Sequence, residues 1–412
     1  MIQYNKYILQ NGLKVLIHED HSTPLVGVSL LYNVGSKNEN AQKTGLAHLF
    51  EHLMFTGSNH VPDFDKPVQK AGGENNAFTN SDITNYYITL PANNLEIAFW
   101  LESDRMKGLK LTKRSFNVQQ KVVLEEFKET CLNEPYGDSW HHLYGMAYKS
   151  HPYQWPTIGI APEHVAGIKL EDANDFYYHY YSPNNAILAV SGNVKDADVI
   201  KLAEKWFGQI ETGPTVNRNL PAEPSQLEFR RMFHEAPVPL DAIYMAFHMG
   251  SRLSPGYYAT DLLSDVLSNG NSSRFYQRLF KEKRLFSNID AYITGSVDPG
   301  LLIIEGKPSE GVTREMAESA IWTELDELTA RPISAEELQK FKNKVESSLV
   351  FSEMSILNKA MSLSYYEMLG DASIMYEETA AYEAITVEEL HAVAKEVLRK
   401  ENCSTLWYIA KN

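Results

Sequence analysis

The chain repeats itself, and that repeat limits its architecture more than any other feature. An apolar strand-like run from Ala242 to Met249 closes on Gly250 and Ser251, as the run ending at Val34 closes on Gly35 and Ser36. A helical pattern from about Tyr258 to Ser268 then falls 215 residues after a similar pattern from about Thr44 to Phe55. Such a period implies duplication of a whole domain rather than a short solenoid unit. Between Glu211 and Leu240 stand five prolines, Pro214, Pro221, Pro224, Pro237 and Pro239, a density that leaves little room for regular structure. With 412 residues the chain also exceeds the size of one core. The expected organisation is a domain over 1–215, a linker over 216–240 and a homologous domain over 241–412.

Within the first half, Asn11 and Gly12 sit between two short strand-like runs, which is a hairpin signal. Val26 to Val34 and Ile83 to Leu90 read as strands, as does Ala186 to Gly192. Helical periodicity covers about 93–106, 115–130, 172–180 and 197–207, and Thr44 is placed to cap the helix that begins there. Leu132 to Ile160, interrupted by Pro135, Pro152 and Pro156, reads as a looped excursion. Strands with several helices in each half predict an α+β fold, a mainly antiparallel sheet covered by helices, made twice.

The two halves differ where chemistry is concentrated. The segment GLAHLFEHLMF carries His48, Glu51 and His52, and the positions 215 residues later are Leu263, Val266 and Leu267. Histidines four apart on a helix share one face and can converge on a metal, with Glu51 bordering that face. Zinc in a catalytic site takes three protein ligands and keeps one position open. In NVQQKVVLEEFKE, Glu126 and Glu129 lie three apart on one helix side, and spacing alone leaves both open as the third ligand. Two imidazoles and a carboxylate would leave bound zinc a net positive charge and bring the pKa of its water towards roughly 7. Glu51 would accept that proton. His141 and His142 are adjacent and read as packing or surface residues, and His151 as a loop hydrogen-bonding residue.

A formal charge of -15 at pH 7 argues against a broad phosphate-binding surface, so no nucleic-acid partner is expected. Cys131 and Cys403 are too few for a disulfide framework. There is no apolar stretch of membrane-spanning length, and the opening MIQYNKYILQ lacks a basic tip followed by an apolar run. A cytoplasmic location without membrane contact is therefore expected, or a periplasmic one if a signal peptide has been removed.

Taken in order, NGLKVLI, VGS, GLAHLFEHLMF, GGENNAFTNSDITNYYITLP, VVLEEF, HPYQWPTIG, YYSPNNAILAVSGNV and NGNSSRFYQRLFKEKR make the chain resemble the M16 (pitrilysin) family of inverzincin metallopeptidases along essentially its whole length. Its length is similar to the shorter bacterial branch and the catalytic subunit of the mitochondrial processing peptidase. The resemblance implies a LuxS/MPP-like metallohydrolase fold with a second, inactive domain. It implies zinc as the cofactor, with His48, His52 and Glu126 as ligands and Glu51 as general base. Asn76, Ala77, Phe78 and Thr79 would form an edge on which a peptide adds as a strand.

Two positions depart from the family pattern. Gln119 occupies the place of a frequent glutamate seven residues before the third ligand, where it would support the site without charge. Lys281 and Asn288 stand where many members have a substrate-contacting arginine and tyrosine, with Tyr292 further along. Lys281 keeps the charge but not the planar fork. The implied function is a zinc endopeptidase that cleaves peptides or unfolded polypeptides inside a chamber enclosed by a homodimer or by a heterodimer with an M16 homologue. The alternatives are a zinc-bearing subunit that needs a homologous partner for activity, and a noncatalytic peptide-binding homologue.

Overall fold

Asn11 and Gly12 turn the chain between β1 (Asn5–Ile8) and β2 (Lys14–Glu19). Gly12 has a φ of 89°, which favours glycine, and the Asn11 amide donates to the carbonyls of Phe207 and Ile210. The computed structural model describes Ile2–Lys411. The first sheet continues with β3 (Leu25–Tyr32), β4 (Glu74–Thr79), β5 (Thr84–Pro91) and β6 (Ala186–Gly192), in the order β1-β2-β6-β3-β5-β4. Only the β2–β6 pair is parallel.

A second sheet is built from β7 (Arg230–Ala236), β8 (Ala242–His248), β9 (Phe286–Ile293), β10 (Leu301–Pro308) and β11 (Cys403–Ala410). Its order is β7-β11-β8-β10-β9, with β7–β11 the parallel pair and the rest antiparallel. Without β1, the first sheet has the same sequence of connections and the same strand directions. Each half is thus the expected α+β domain with a mainly antiparallel sheet. The helix after β3 is α1 (Leu46–Leu53), and the helix Tyr257–Ser268 follows β8 in the same way. Leu263, Val266 and Leu267 are fully buried there.

Further along the first half come α2 (Asp65–Lys70), α3 (Leu95–Lys107) and α4 (Lys113–Phe127), and beyond them α5 (Ser139–Ala147). This last helix lies inside the stretch expected to be looped. It spans the proline-free interval between Pro135 and Pro152 and buries Ser139, Leu143, Met146 and Ala147 along one stripe. The expected linker likewise contains β7, which occupies the gap between Pro224 and Pro237. As an edge strand it has one pairing partner, so prolines at both ends cost the sheet no interior bond.

The compact units also exchange segments relative to the linear division expected at 215 and 240. The first unit comprises the chain up to Lys128, Trp155–Leu220 and Leu349–Glu377, and the second comprises Glu129–Gln154, Pro221–Ser348 and the chain from Glu378. Packing explains both exchanges. In the second unit α5 packs on β8 and β11, while in the first the helix Ile356–Leu369 packs on β3 and β6. Gly27 permits that approach, because a Cβ there would meet the Leu357 Cα at 2.9 Å. Among the described residues no helix is long and apolar enough to cross a membrane.

The first unit buries an ion pair between Arg105 and Glu102. Arg105 is 1% exposed, and its Nε and Nη2 donate to the Glu102 carboxylate at 2.8 and 2.5 Å. The guanidinium also lies 4.2 Å from the Phe64 ring centroid and 4.1 Å from that of Tyr86. Removing one partner of such a pair strands the other charge in the core. Arg105→Met is expected to destabilise the protein by about 3–5 kcal/mol in urea denaturation, and Glu102→Gln/Arg105→Met to recover most of that loss. Equal losses in the single and double variants would show that the pair is not coupled.

Candidate metal centre

Helix α1 is short and strongly two-sided. Leu46, Ala47, Leu49, Phe50 and Leu53 are buried, and Phe50 packs on Phe176, Tyr177 and Tyr181. His48, Glu51 and His52 are half-buried on the other side. Eight residues cannot hold a helix in water by themselves, so its ends and its apolar face must be secured by the fold.

Its first turn is not capped by Thr44, contrary to the sequence expectation. The Thr44 hydroxyl accepts from the Ile160 N–H at 2.8 Å and lies 3.0 Å from His164 Nδ1. Gly45, at φ 90°, takes the N-cap position, where a Cβ would meet the Ile158 carbonyl oxygen at 2.7 Å. The cap comes instead from Glu39, whose buried carboxylate accepts N–H bonds from Gly45 at 3.0 Å and Ala47 at 2.7 Å. Burial pushes the Glu39 carboxyl up to about 8, against the backbone donors that hold it down.

Helix α4 supplies the facing group. Thr112 caps it through the Ser115 N–H at 3.0 Å, and Phe116, Val123 and Phe127 anchor it. His48 Nε2 lies 3.7 Å from Glu126 Oε1, and His52 Nε2 lies 3.5 Å from Glu126 Oε2. The two imidazoles stand edge to face, with ring centroids 4.9 Å apart. Glu126 is thus the acid that meets both histidines. Helix α4 ends at Phe127 and gives way to a π-helical turn, Lys128–Asn133, so Glu129 leaves the helix face and is exposed.

Two imidazoles and one carboxylate form a ligand set suited to zinc. Bonds of about 2.0–2.1 Å to a tetrahedral ion put neighbouring donors about 3.4 Å apart, close to the spacing found here. Burial, with His52 alongside, pushes His48 down to about 4. Its ring is therefore neutral at pH 7, the form that offers a lone pair to a metal. Burial also raises Glu51, aided by Glu126 and opposed by Thr79 and His52. A carboxylate with a raised pKa is the better proton acceptor near neutrality.

Thr79 ends β4, an edge strand of the first sheet. Asn76 is exposed there and Ala77, Phe78 and Thr79 are half-buried, while the Ala77 N–H is held by the Asn76 side chain at 2.8 Å. Gln119 is half-buried two turns before Glu126 on α4. Lys281 and Asn288 are exposed in the second unit, at the end of the helical turn Phe275–Glu282 and on β9. Tyr292 does not stand ready as a free phenol, because its hydroxyl donates to Glu305 at 3.1 Å. Sequence reasoning missed Glu39, and the one available signal was an acid upstream of a helix that opens on glycine.

The chain also resembles known proteins along most of its length. Residues 14–159 match the family described as Insulinase (Peptidase family M16), and residues 167–345 match the Peptidase M16 inactive domain. The Helicobacter pylori protein named Zinc protease PqqE is 28% identical over 98% of this chain and 92% of its own length. The crystal structure of a protease from Helicobacter pylori gives a TM-score of 0.94 at 27% identity, covering 99% of this chain and 100% of the other. The periplasmic protease PqqL from Escherichia coli gives 0.80 at 16% identity, covering 99% of this chain and 48% of that longer one, a likeness of fold.

Since the Glu39 carboxyl rises on folding from about 4.5 to about 8, the folded state binds the extra proton between those values. The stability Glu39 contributes is therefore full below about 4.5 and is lost as pH rises through 8. In metal-free proteins, stability from urea unfolding should fall more steeply from pH 5 to 8.5 in the wild type than in Glu39→Gln. The difference in slope is at most about 1.4 kcal/mol per pH unit. Parallel curves would show that Glu39 keeps its charge throughout.

Proposed function

Because the chain belongs to the M16 family of zinc proteases, we propose that it is a zinc-dependent endopeptidase acting on peptides or unfolded polypeptides. The observation that carries this reading is the convergence of His48, His52 and Glu126 beside a carboxylate, Glu51, that burial has made a stronger base. Zinc held by those three residues supplies a Lewis acid that polarises a peptide carbonyl and acidifies water. Glu51 takes the proton of the attacking water and passes it to the leaving amine as the C–N bond breaks.

Peptide positioning falls to β4. Its outer edge offers backbone N–H and C=O groups to a chain of any sequence, and Asn76, Ala77, Phe78 and Thr79 lead along it towards Glu51. Gln119 supports α4 behind Glu126 without adding charge. Lys281 is proposed as a substrate-binding residue, a point charge rather than a planar fork.

An enclosed chamber built from two such chains follows from the same reading. PqqL has the fold of this chain in one half of its length, which supports pairing of two chains here. Lys281 and Asn288 in place of an arginine and a tyrosine favour a heterodimeric form, in which a homologue completes the substrate contacts. Mixing with a homologue encoded nearby should then raise turnover at least tenfold. Full activity in a pure homodimer would remove the need for that partner.

Glu51→Gln keeps side-chain size and removes the proton acceptor. It should retain about one zinc at this centre, keep its peptide affinity and lose ~10²–10⁴ in turnover. His48→Ala, His52→Ala and Glu126→Ala should lose metal first and activity as a consequence. Zinc content measured beside peptide hydrolysis separates the two classes. Near-wild-type turnover in a fully loaded Glu51→Gln protein would take the base role from Glu51.

A further inference from the structure

The second unit carries a cluster of ligating side chains that peptide hydrolysis leaves unused. Asp138 precedes α5, and His142 follows four residues later, so the two side chains share a face. Strand β7 brings His234 to them, and Tyr408 on β11 pairs with His234 in register. His142 Nε2 lies 3.2 Å and His234 Nε2 3.8 Å from the same oxygen, Asp138 Oδ2. The two rings have centroids 4.2 Å apart, and one ligand atom from each of the three residues falls within 4.8 Å of the others. The Tyr408 hydroxyl donates to Asp138 Oδ1 at 2.6 Å, which turns the remaining oxygen towards both imidazoles.

From this geometry we propose that Asp138, His142 and His234 bind a second divalent transition-metal ion of the zinc class. Donor separations of 3.2 and 3.8 Å bracket the roughly 3.4 Å edge of a tetrahedral zinc site. They also match the 3.5 and 3.7 Å found between the first-unit histidines and Glu126. Two nitrogens and one oxygen select a borderline ion over calcium or magnesium, which take oxygen ligands. The hydrogen bond from Tyr408 orients the carboxylate in the way outer partners orient metal ligands. All three side chains are about 27–30% exposed, so an ion can enter and keep a position open to water. The bound ion would tie α5, the middle of the exchanged segment Glu129–Gln154, to the edge strand β7 of its sheet.

The test counts zinc in the full-length chain after loading and desalting, by mass spectrometry of the metal. The wild type should hold about two ions, His48→Ala/His52→Ala about one, His142→Gln/His234→Gln about one, and the fourfold variant none. In the His48→Ala/His52→Ala background, zinc at about a hundred times its Kd should raise Tm by about 5 °C. Adding His142→Gln/His234→Gln should abolish that rise while circular dichroism stays unchanged. A His48→Ala/His52→Ala protein that holds no zinc and shows no zinc-dependent Tm would overturn the proposal. A wild type with a single ion, lost only when His142 and His234 are replaced, would sustain it and sink the reading of the first-unit centre.

Discussion

The candidate metal centre depends on the hydrogen bonds of a buried carboxyl group, Glu39, that is not one of its ligands. Helix α1 must display two histidines and a glutamate on one side, which leaves a narrow apolar face and only eight residues to hold it. Glu39 closes the exposed N–H groups of its first turn from inside the core, and Gly45 lets the backbone pass against the Ile158 carbonyl. The histidines therefore arrive at Glu126 with their direction already set. Preorganisation of this kind is what a metal site requires of its ligand side chains.

Duplication explains how such a helix arose beside a silent copy. Apart from β1, both sheets share strand order and direction, so the same backbone frame places a helix after β3 and after β8. In one copy that helix carries His48, Glu51 and His52, and in the other Leu263, Val266 and Leu267 lie fully buried. The apolar version packs on all sides and is the easier one to hold. The polar version needs Glu39, the Phe50 contacts with Phe176, Tyr177 and Tyr181, and α4 in front of it.

What could be read from the sequence was whatever is local or recurs at a fixed spacing. The hairpin at Asn11 and Gly12, the histidine pair four apart and the repeat of strand and helix were legible because each is local or recurs at fixed spacing. Spacing could not choose between Glu126 and Glu129, because no glycine or proline marks the end of α4 at Phe127. Glu39 was missed for a related reason, since a buried cap from an irregular segment has no periodicity. Proline density hid β7, whose edge position tolerates flanking prolines. With β7 hidden, His234 could not be placed beside His142.

The exchange of segments between the units has a consequence for biosynthesis. Strand β6 completes the first sheet at Gly192, yet the helix that covers one of its faces begins at Ile356. At about 5–20 residues per second, a ribosome needs roughly 8–30 s to make the intervening chain. During that interval Leu16, Leu31, Ile187 and Ala189 face solvent or a chaperone instead of Ala360 and Leu363. A nascent chain halted at the proline-rich stretch already contains His48, His52 and Glu126, and it still lacks one wall of its own core.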